Sequence, residues 1–318
     1  MTNGYKPEGG RLTTTENQEY LSSVSALEHA MHCGAIVEGL VTLCDENLCL
    51  HVDLGCAEGI IEPDEAVYYR HGESRKDIAI ITRVGKPVSF IIQSIEMQGK
   101  QVIAHLSRRL AQERCLQYSL HTLHPGDLLE ATVTHLENFG AFLDIGCGVS
   151  SLLSVDCISV SRISHPRDRL ACGTTLPVVV KTIDRENERI YVTLRELLGT
   201  WEENAARFQS GQTVTGIIRS VESYGVFVEL SPNLAGLAEI REDSISEVKK
   251  RIGKPVAVYI KSIVPDRMKL KLILIDFCNA QTPSRNLTYY INPDTTHHIS
   301  NWVYSPPSAK RLIETKFE

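Results

Sequence analysis

Asn138-Phe139-Gly140-Ala141-Phe142-Leu143-Asp144-Ile145-Gly146 is the stretch on which the fold turns, and it returns as Ser223-Tyr224-Gly225-Val226-Phe227-Val228-Glu229-Leu230-Ser231. In both copies an aromatic, a glycine, a small residue and a phenylalanine run into alternating apolar and acidic residues. Alternation of that kind marks a half-buried strand. The offset that carries Phe139 onto Tyr224 and Phe142 onto Phe227 also carries Gly126 onto Gly211, so a whole module repeats. A slightly shorter offset maps Lys181 onto Lys261 and Arg189 onto Lys269, as a length change in one loop requires. The longer loop belongs to the earlier copy, over Cys157 to Leu170.

Outward from the repeat, the chain divides by pattern. Residues 1–25 are polar and rich in Thr, Ser, Glu and Gly, the composition of a flexible arm. A short helix is expected over Ser25 to His32. Strand-like runs follow at Ala35–Leu43, Leu48–Leu54, Gly59–Glu62, Pro87–Ile95 and Gln101–Leu106, each bounded by Gly, Asp, Asn or Pro. Five short strands in one segment, 26–106, predict a small barrel or sandwich. The period then changes: Leu106, Leu110, Leu116 and Leu120 share a helical face, with Arg108, Arg109 and Arg114 among the polar positions, so 107–125 reads as a linker helix. The second module covers 126–196. A second linker helix, 197–210, starts on the capping box Thr200–Glu203 and carries the stripe Leu197, Trp201, Ala205 and Phe208. The third module covers 211–276. Residues 277–318 are too poor in apolar side chains for their own core and are expected to dock on the third barrel, with a helical turn starting near Pro306 or Pro307.

The totals set limits. Of the 318 residues 42% are hydrophobic and 23% charged, which argues against wholesale disorder. No apolar run reaches the length of about 18 that suggests a membrane span, and the first residues lack the apolar core of a secretory signal. Nine cysteines without regular spacing read as reduced core residues of a cytoplasmic protein. The net charge of −6 confines any polyanion binding to local patches. His29-x-x-His32-Cys33 has metal-like spacing but lacks a partner set, and helix-surface residues explain it. His297-His298 is no better, and neither a phosphate-cradling loop nor a nucleophile motif occurs. No cofactor, metal or catalytic residue is expected.

The first module aligns through Asp53-Leu54-Gly55 against Asp144-Ile145-Gly146. Leu48 and His51 then replace the aromatics, Gln93 replaces Lys181 and Gln101 replaces Arg189. The aromatics and the cations vanish together, while scaffold positions such as Val52, Leu54 and Leu106 stay apolar. An aromatic pair beside cations is the chemistry of single-strand binding, since every base has a π-face and stacking is worth about 1–3 kcal/mol per base. Lys and Arg then meet phosphates. In a regular strand Phe139 and Phe142 would point to opposite faces, and a bulge or twist at Gly140 is the expected means of bringing them together. The alternative is that one or both rings fill the barrel. The third module is the most basic, with Lys249, Lys250, Arg251, Lys254, Lys261, Lys269 and Lys271 close together.

Gly126 to Leu194 resembles the S1 RNA-binding motif, an oligonucleotide-binding barrel. The residues that carry the likeness are Gly126, Phe139-Gly140-Ala141-Phe142, Asp144-Ile145-Gly146, Ile183-Asp184, Arg189 and Leu194. Gly211 to Asp276 is similar through Tyr224-Gly225-Val226-Phe227, Gly236-Leu237 and Lys269, and Cys33 to Ser107 resembles a degenerate copy. The resemblance implies an all-β chain of tandem five-stranded barrels (OB-folds) joined by short linker helices. It also implies an RNA face of Phe139, Phe142, Asp184 and Arg189 in the second module and Tyr224, Phe227 and Lys269 in the third. Lys181, Lys261 and Lys271 join that list on charge and position. The family histidine is absent, with Ser154 near its place in the second module and Glu239 in the third, where Val264 also replaces the aspartate. The function implied is non-catalytic binding of single-stranded RNA, mRNA or rRNA, in translation and at the small ribosomal subunit, with no membrane partner. The competing expectation is a protein-interaction scaffold whose barrels no longer bind RNA.

Overall fold

The computed structural model describes residues 4–70, 72–99, 101–240, 245–277 and 287–318. Three closed five-stranded barrels follow one another. The first uses β1 (Val37–Cys44), β2 (Leu50–Asp53), β3 (Glu58–Ile61), β4 (Pro87–Gln98) and β5 (Gln101–Ser107). The second uses β6 (Leu128–Glu137), β7 (Gly140–Asp144), β8 (Ser150–Ser154), β9 (Thr175–Asp184) and β10 (Arg189–Thr193). The third uses β11 (Thr213–Glu222), β12 (Gly225–Ser231), β13 (Leu234–Ala238), β14 (Pro255–Val264) and β15 (Lys269–Asp276). In each, the third strand pairs in parallel with the fifth and the first pairs with the fourth, which closes the sheet and leaves no exposed edge.

Helices fill the gaps: α1 (Thr15–Leu21), α2 (Val24–Cys33), α3 (Asp77–Ile81), α4 (Arg108–Thr122), α5 (Trp201–Ala205) and α6 (Ile245–Lys249). The α2 helix starts on the Ser23 hydroxyl and ends at Gly34, whose φ of 62° suits a left-handed cap. The α5 helix begins on the expected capping box, Thr200 with Glu203. No helix among the described residues is long and apolar enough to cross a membrane.

Alternate residues of each strand fill the barrels. Val133, Leu143, Leu153, Val178, Val180 and Val192 are buried in the second, at about 1.5–3 kcal/mol for each side chain fully removed from water. The first barrel has its own apolar cluster, whereas the second, the third and the C-terminal segment share one. Polar contacts reinforce that union. The Asn233 amide, fully buried, donates to the carbonyls of Arg195 and Gly199 and accepts from the Val160 N–H. Arg169, Glu229, Arg219 and Asp168 form an ion network across the two barrels.

Three expectations need correction. The flexible arm is not loose: the Glu8 N–H donates to Asp144 at 2.7 Å, and the Glu8 carboxylate accepts two bonds from Arg108, at 2.6 and 2.9 Å. Asn17 exchanges bonds with the Glu38 backbone, and Glu38 Oε2 accepts from Gly9 and Arg11. Polar composition implies an unattached segment, but its side chains satisfy buried polar groups instead of filling a core. For the same reason Arg108, one of the polar positions of the linker helix, is buried. The C-terminal segment does not dock on the third barrel alone. His298 bonds Asp127 and Ile299 bonds Gly126 on the second barrel, while Tyr304 Oη donates to Asn233 O on the third. In place of a helical turn after Pro306 it forms a hairpin, β16 (Asn301–Val303) with β17 (Glu314–Lys316), which buries Trp302, Tyr304 and Phe317.

Candidate nucleic-acid interface

Each repeated stretch begins in a turn. Glu137 pairs with Gly140, and Glu222 with Gly225, so Asn138-Phe139 and Ser223-Tyr224 are two-residue hairpin loops. Phe139 is 56% exposed and Tyr224 64%, at the two tips. Phe142 and Phe227 are half-buried on the outer surfaces. The rings of Phe139 and Phe142 lie 6.0 Å apart at 88°, and those of Tyr224 and Phe227 lie 6.2 Å apart at 89°. Two barrels thus present one edge-to-face pair each, a stable arrangement for aromatics. The rings do not fill the barrels.

The expected bulge at Gly140 is absent. Phe139 reaches the face of Phe142 because it precedes the strand, and the bulge of this hairpin lies on the partner strand at Thr134. Gly140 has a different task. A Cβ there would stand 2.5 Å from the Leu153 carbonyl oxygen, and one on Gly225 would stand 2.7 Å from that of Ala238. Close backbone approach therefore demands glycine at both positions. Gly140→Val is expected to cost about 2–3 kcal/mol, read from the midpoint of denaturant unfolding, because backbone must move to admit the side chain.

Cross-strand register assembles the rest of the face. His135, Phe142, Leu152, Tyr191 and Thr182 follow one another across β6, β7, β8, β10 and β9. The His135 ring is inclined 27° to that of Phe142, with ring centres 6.4 Å apart, and its Nε2 meets Glu137 at 2.7 Å. The third barrel matches this row with Ser220, Phe227, Leu237, Lys271 and Ser262. Tyr191 and His135 escaped the sequence reading. Tyr191 was legible as the residue two beyond Arg189 on the same strand face, whereas only register puts His135 opposite Phe142.

The cations divide unequally. Lys181, Lys261 and Gln93 are each the extra residue of a bulge on the fourth strand of their barrel, which keeps their sequence equivalence. Lys181 is half-buried, with Nζ 3.1 Å from Cys157 Sγ. Burial pushes the Cys157 thiol up, against the pull of the Lys181 ammonium. Arg189 is exposed and pairs across the strands with Asp184. Asp184 accepts from the Asn187 N–H at 3.0 Å and from Asn187 Nδ2 at 2.8 Å, and those bonds hold its carboxyl below the usual range. It serves its own turn. In the first barrel the register sets Ile103, not Gln101, at the place of Arg189, because that hairpin runs two residues longer. His51 there is bonded to Glu58 at 2.7 Å, and the tight aromatic turn is replaced by a wider one from Asp45 to Cys49.

On the third barrel Tyr224, Phe227, Lys261, Lys269 and Lys271 line a single groove of about 1080 Å³. Exposed Glu239 also borders it. Elsewhere, His29 and His32 are exposed on α2, with His32 Nδ1 bonded to Glu28 O. Among the described residues no group of three or more His, Cys, Asp or Glu is placed to hold a metal ion.

Residues 122–195 match the family model described as the S1 RNA binding domain. The small ribosomal subunit protein bS1 homolog of Bacillus subtilis (strain 168) is 32% identical over 54% of this chain and 44% of its own length. Small ribosomal subunit protein bS1 of Staphylococcus saprophyticus is 29% identical over 57% and 47%. A solved multidomain protein with nucleic acid binding domains from Streptococcus pneumoniae is 16% identical over 76% of this chain and 73% of that one, with a TM-score of 0.23. The chain spans about half the length of the curated relatives it matches. The likeness to the S1 family read from the sequence is borne out.

Proposed function

We propose that this chain is a non-catalytic cytoplasmic protein that binds single-stranded RNA and acts in translation with the small ribosomal subunit. The observation that carries this reading is the edge-to-face aromatic pair repeated on the outer faces of two barrels that share one apolar core. A splayed base stacks on Phe142 or Phe227 with the turn-tip ring across its edge, and Tyr191 extends the platform in the second barrel. Cations of the third barrel neutralise phosphates. The first barrel lacks both elements and does not enter the site. The ribosomal assignment is supported by the curated relatives, and the S1 match supports RNA as the ligand.

The test is binding of labelled single-stranded RNA, single-stranded DNA and duplex RNA to the intact chain across a salt series. Single-stranded RNA binds most tightly, with an affinity that falls as salt rises. Equal affinity for duplex sinks the reading, and no binding at low salt sinks it in favour of the scaffold alternative.

A further inference from the structure

The groove on the third barrel is not built by that barrel alone. Tyr304, Arg311 and Ile313 of the C-terminal segment line it, as do Val160 and Ser161 of the second barrel. Fixed bonds hold these walls. Tyr304 Oη donates to Asn233 O at 2.6 Å, the Lys310 N–H to Asp266 O at 3.0 Å, and the Ser161 N–H to Pro232 O at 3.2 Å. The bond at Lys310 sets the next residue, Arg311, against the turn that carries Arg267, and both arginines border the groove.

Charge is the second observation. Arg267, Arg311, Lys261, Lys269 and Lys271 all border the groove, and none makes a salt bridge among the described residues. One bordering side chain is acidic, Glu239. In a chain whose net charge is −6, such a cluster has a cost, because the cations repel one another until a polyanion arrives. Solvated surface charge explains one or two lysines. It does not explain why a segment anchored on two barrels delivers a further arginine to a groove that already holds four cations.

We infer that the C-terminal segment is a wall of the binding site: Arg311, together with Arg267, takes phosphates of a single strand laid between the outer face of the third barrel and the β16–β17 hairpin. This rests on the single-strand reading above and adds a contact surface that the barrels do not supply. It also gives the strand a direction of exit. Bases stack on Tyr224 and Phe227 while the backbone runs past Lys269 and Arg267 toward Arg311.

The experiment measures binding of a labelled oligouridylate of about 12 nucleotides, within the span of one or two such barrels, to the full chain over a salt series. Arg311→Ala lowers affinity about three- to tenfold at low salt and flattens the plot of log K against log salt by about 0.7, and Arg267→Ala/Arg311→Ala flattens it by about 1.4. Arg311→Lys keeps the slope, and Arg207→Ala, at an exposed arginine outside the groove, keeps both slope and affinity. A slope change separates lost contacts from lost folding, since an unfolded fraction lowers the active concentration without altering the slope. Wild-type binding with an unchanged slope in the double variant overturns this inference alone. No wild-type binding overturns it together with the single-strand reading.

Discussion

Replacing Phe139, Phe142, Tyr224 and Phe227 together by alanine lowers the affinity of the intact chain for single-stranded RNA by at least about 100-fold. Each stacked base contributes about 1–3 kcal/mol, so two bases at the middle of that range give about 4 kcal/mol, more than the roughly 2.7 kcal/mol that this factor requires. The protein stays folded, because the four rings lie outside the barrels: two are turn tips and two are half-buried on the outer face. The loss in the fold is confined to two edge-to-face pairs, about 0.5–1.5 kcal/mol each. What survives is electrostatic binding, so the salt slope of the variant matches that of the wild type while its affinity at every salt is lower. Filter binding with thermal melts on the same preparations measures both. A folded quadruple variant that binds as the wild type does shows the rings to be mere surface packing, and the stacking mechanism is then wrong.

Glu229→Ala destabilises the unit of second and third barrels by about 3–5 kcal/mol. Glu229 accepts from Arg219 at 2.7 and 3.3 Å and from Arg169, and all three side chains are nearly buried. Removing the carboxylate strands two guanidinium groups beside each other, with Asp168, 3.3 Å from Arg219, as the remaining counter-charge. Breaking one partner out of a buried network costs far more than the network contributes, because the desolvated charges lose their compensation. The companion prediction follows from that asymmetry. Arg169→Met/Arg219→Met/Glu229→Met recovers most of the lost stability, since apolar residues of similar length need no counter-charge. Denaturant unfolding of the three proteins decides it: a loss below about 1 kcal/mol in Glu229→Ala means the arginines reach water and the network is not buried in solution.

The consequence for function lies in rigidity. Arg169 belongs to the long loop of the second barrel, Arg219 is the bulge residue of β11, and Glu229 sits on β12 beside the face that carries Phe227. The network therefore fixes the two aromatic faces relative to each other. On the proposed function, a single strand crossing both barrels would meet a preformed surface, which limits the ordering cost of binding.

The barrels, their tandem order and the two aromatic pairs were legible in the residues themselves. Alternation with a period of two names a strand, and glycine at a position that admits no Cβ marks a close approach wherever the strand is set. The first module's lack of stacking rings and cations was equally plain, since Leu48 and His51 cannot be read as a pair of rings on any register. Less visible were interactions between residues far apart in sequence. Nothing local in the sequence pairs Glu8 with Arg108, and only the packing of the N-terminal segment against α4 makes them a buried pair. The sequence presents Lys181 as a phosphate contact, and only the fold sets Cys157 beside its amine. Tyr191 and His135 became part of the aromatic row through strand pairing, and Arg311 reached the groove through the Lys310 bond to Asp266. Local sequence thus determines which segments become strands, because pleat and turn are short-range preferences. The tertiary structure alone decides which polar and charged side chains are shared between segments, because a buried charge takes whichever partner the fold sets within a few ångströms of it.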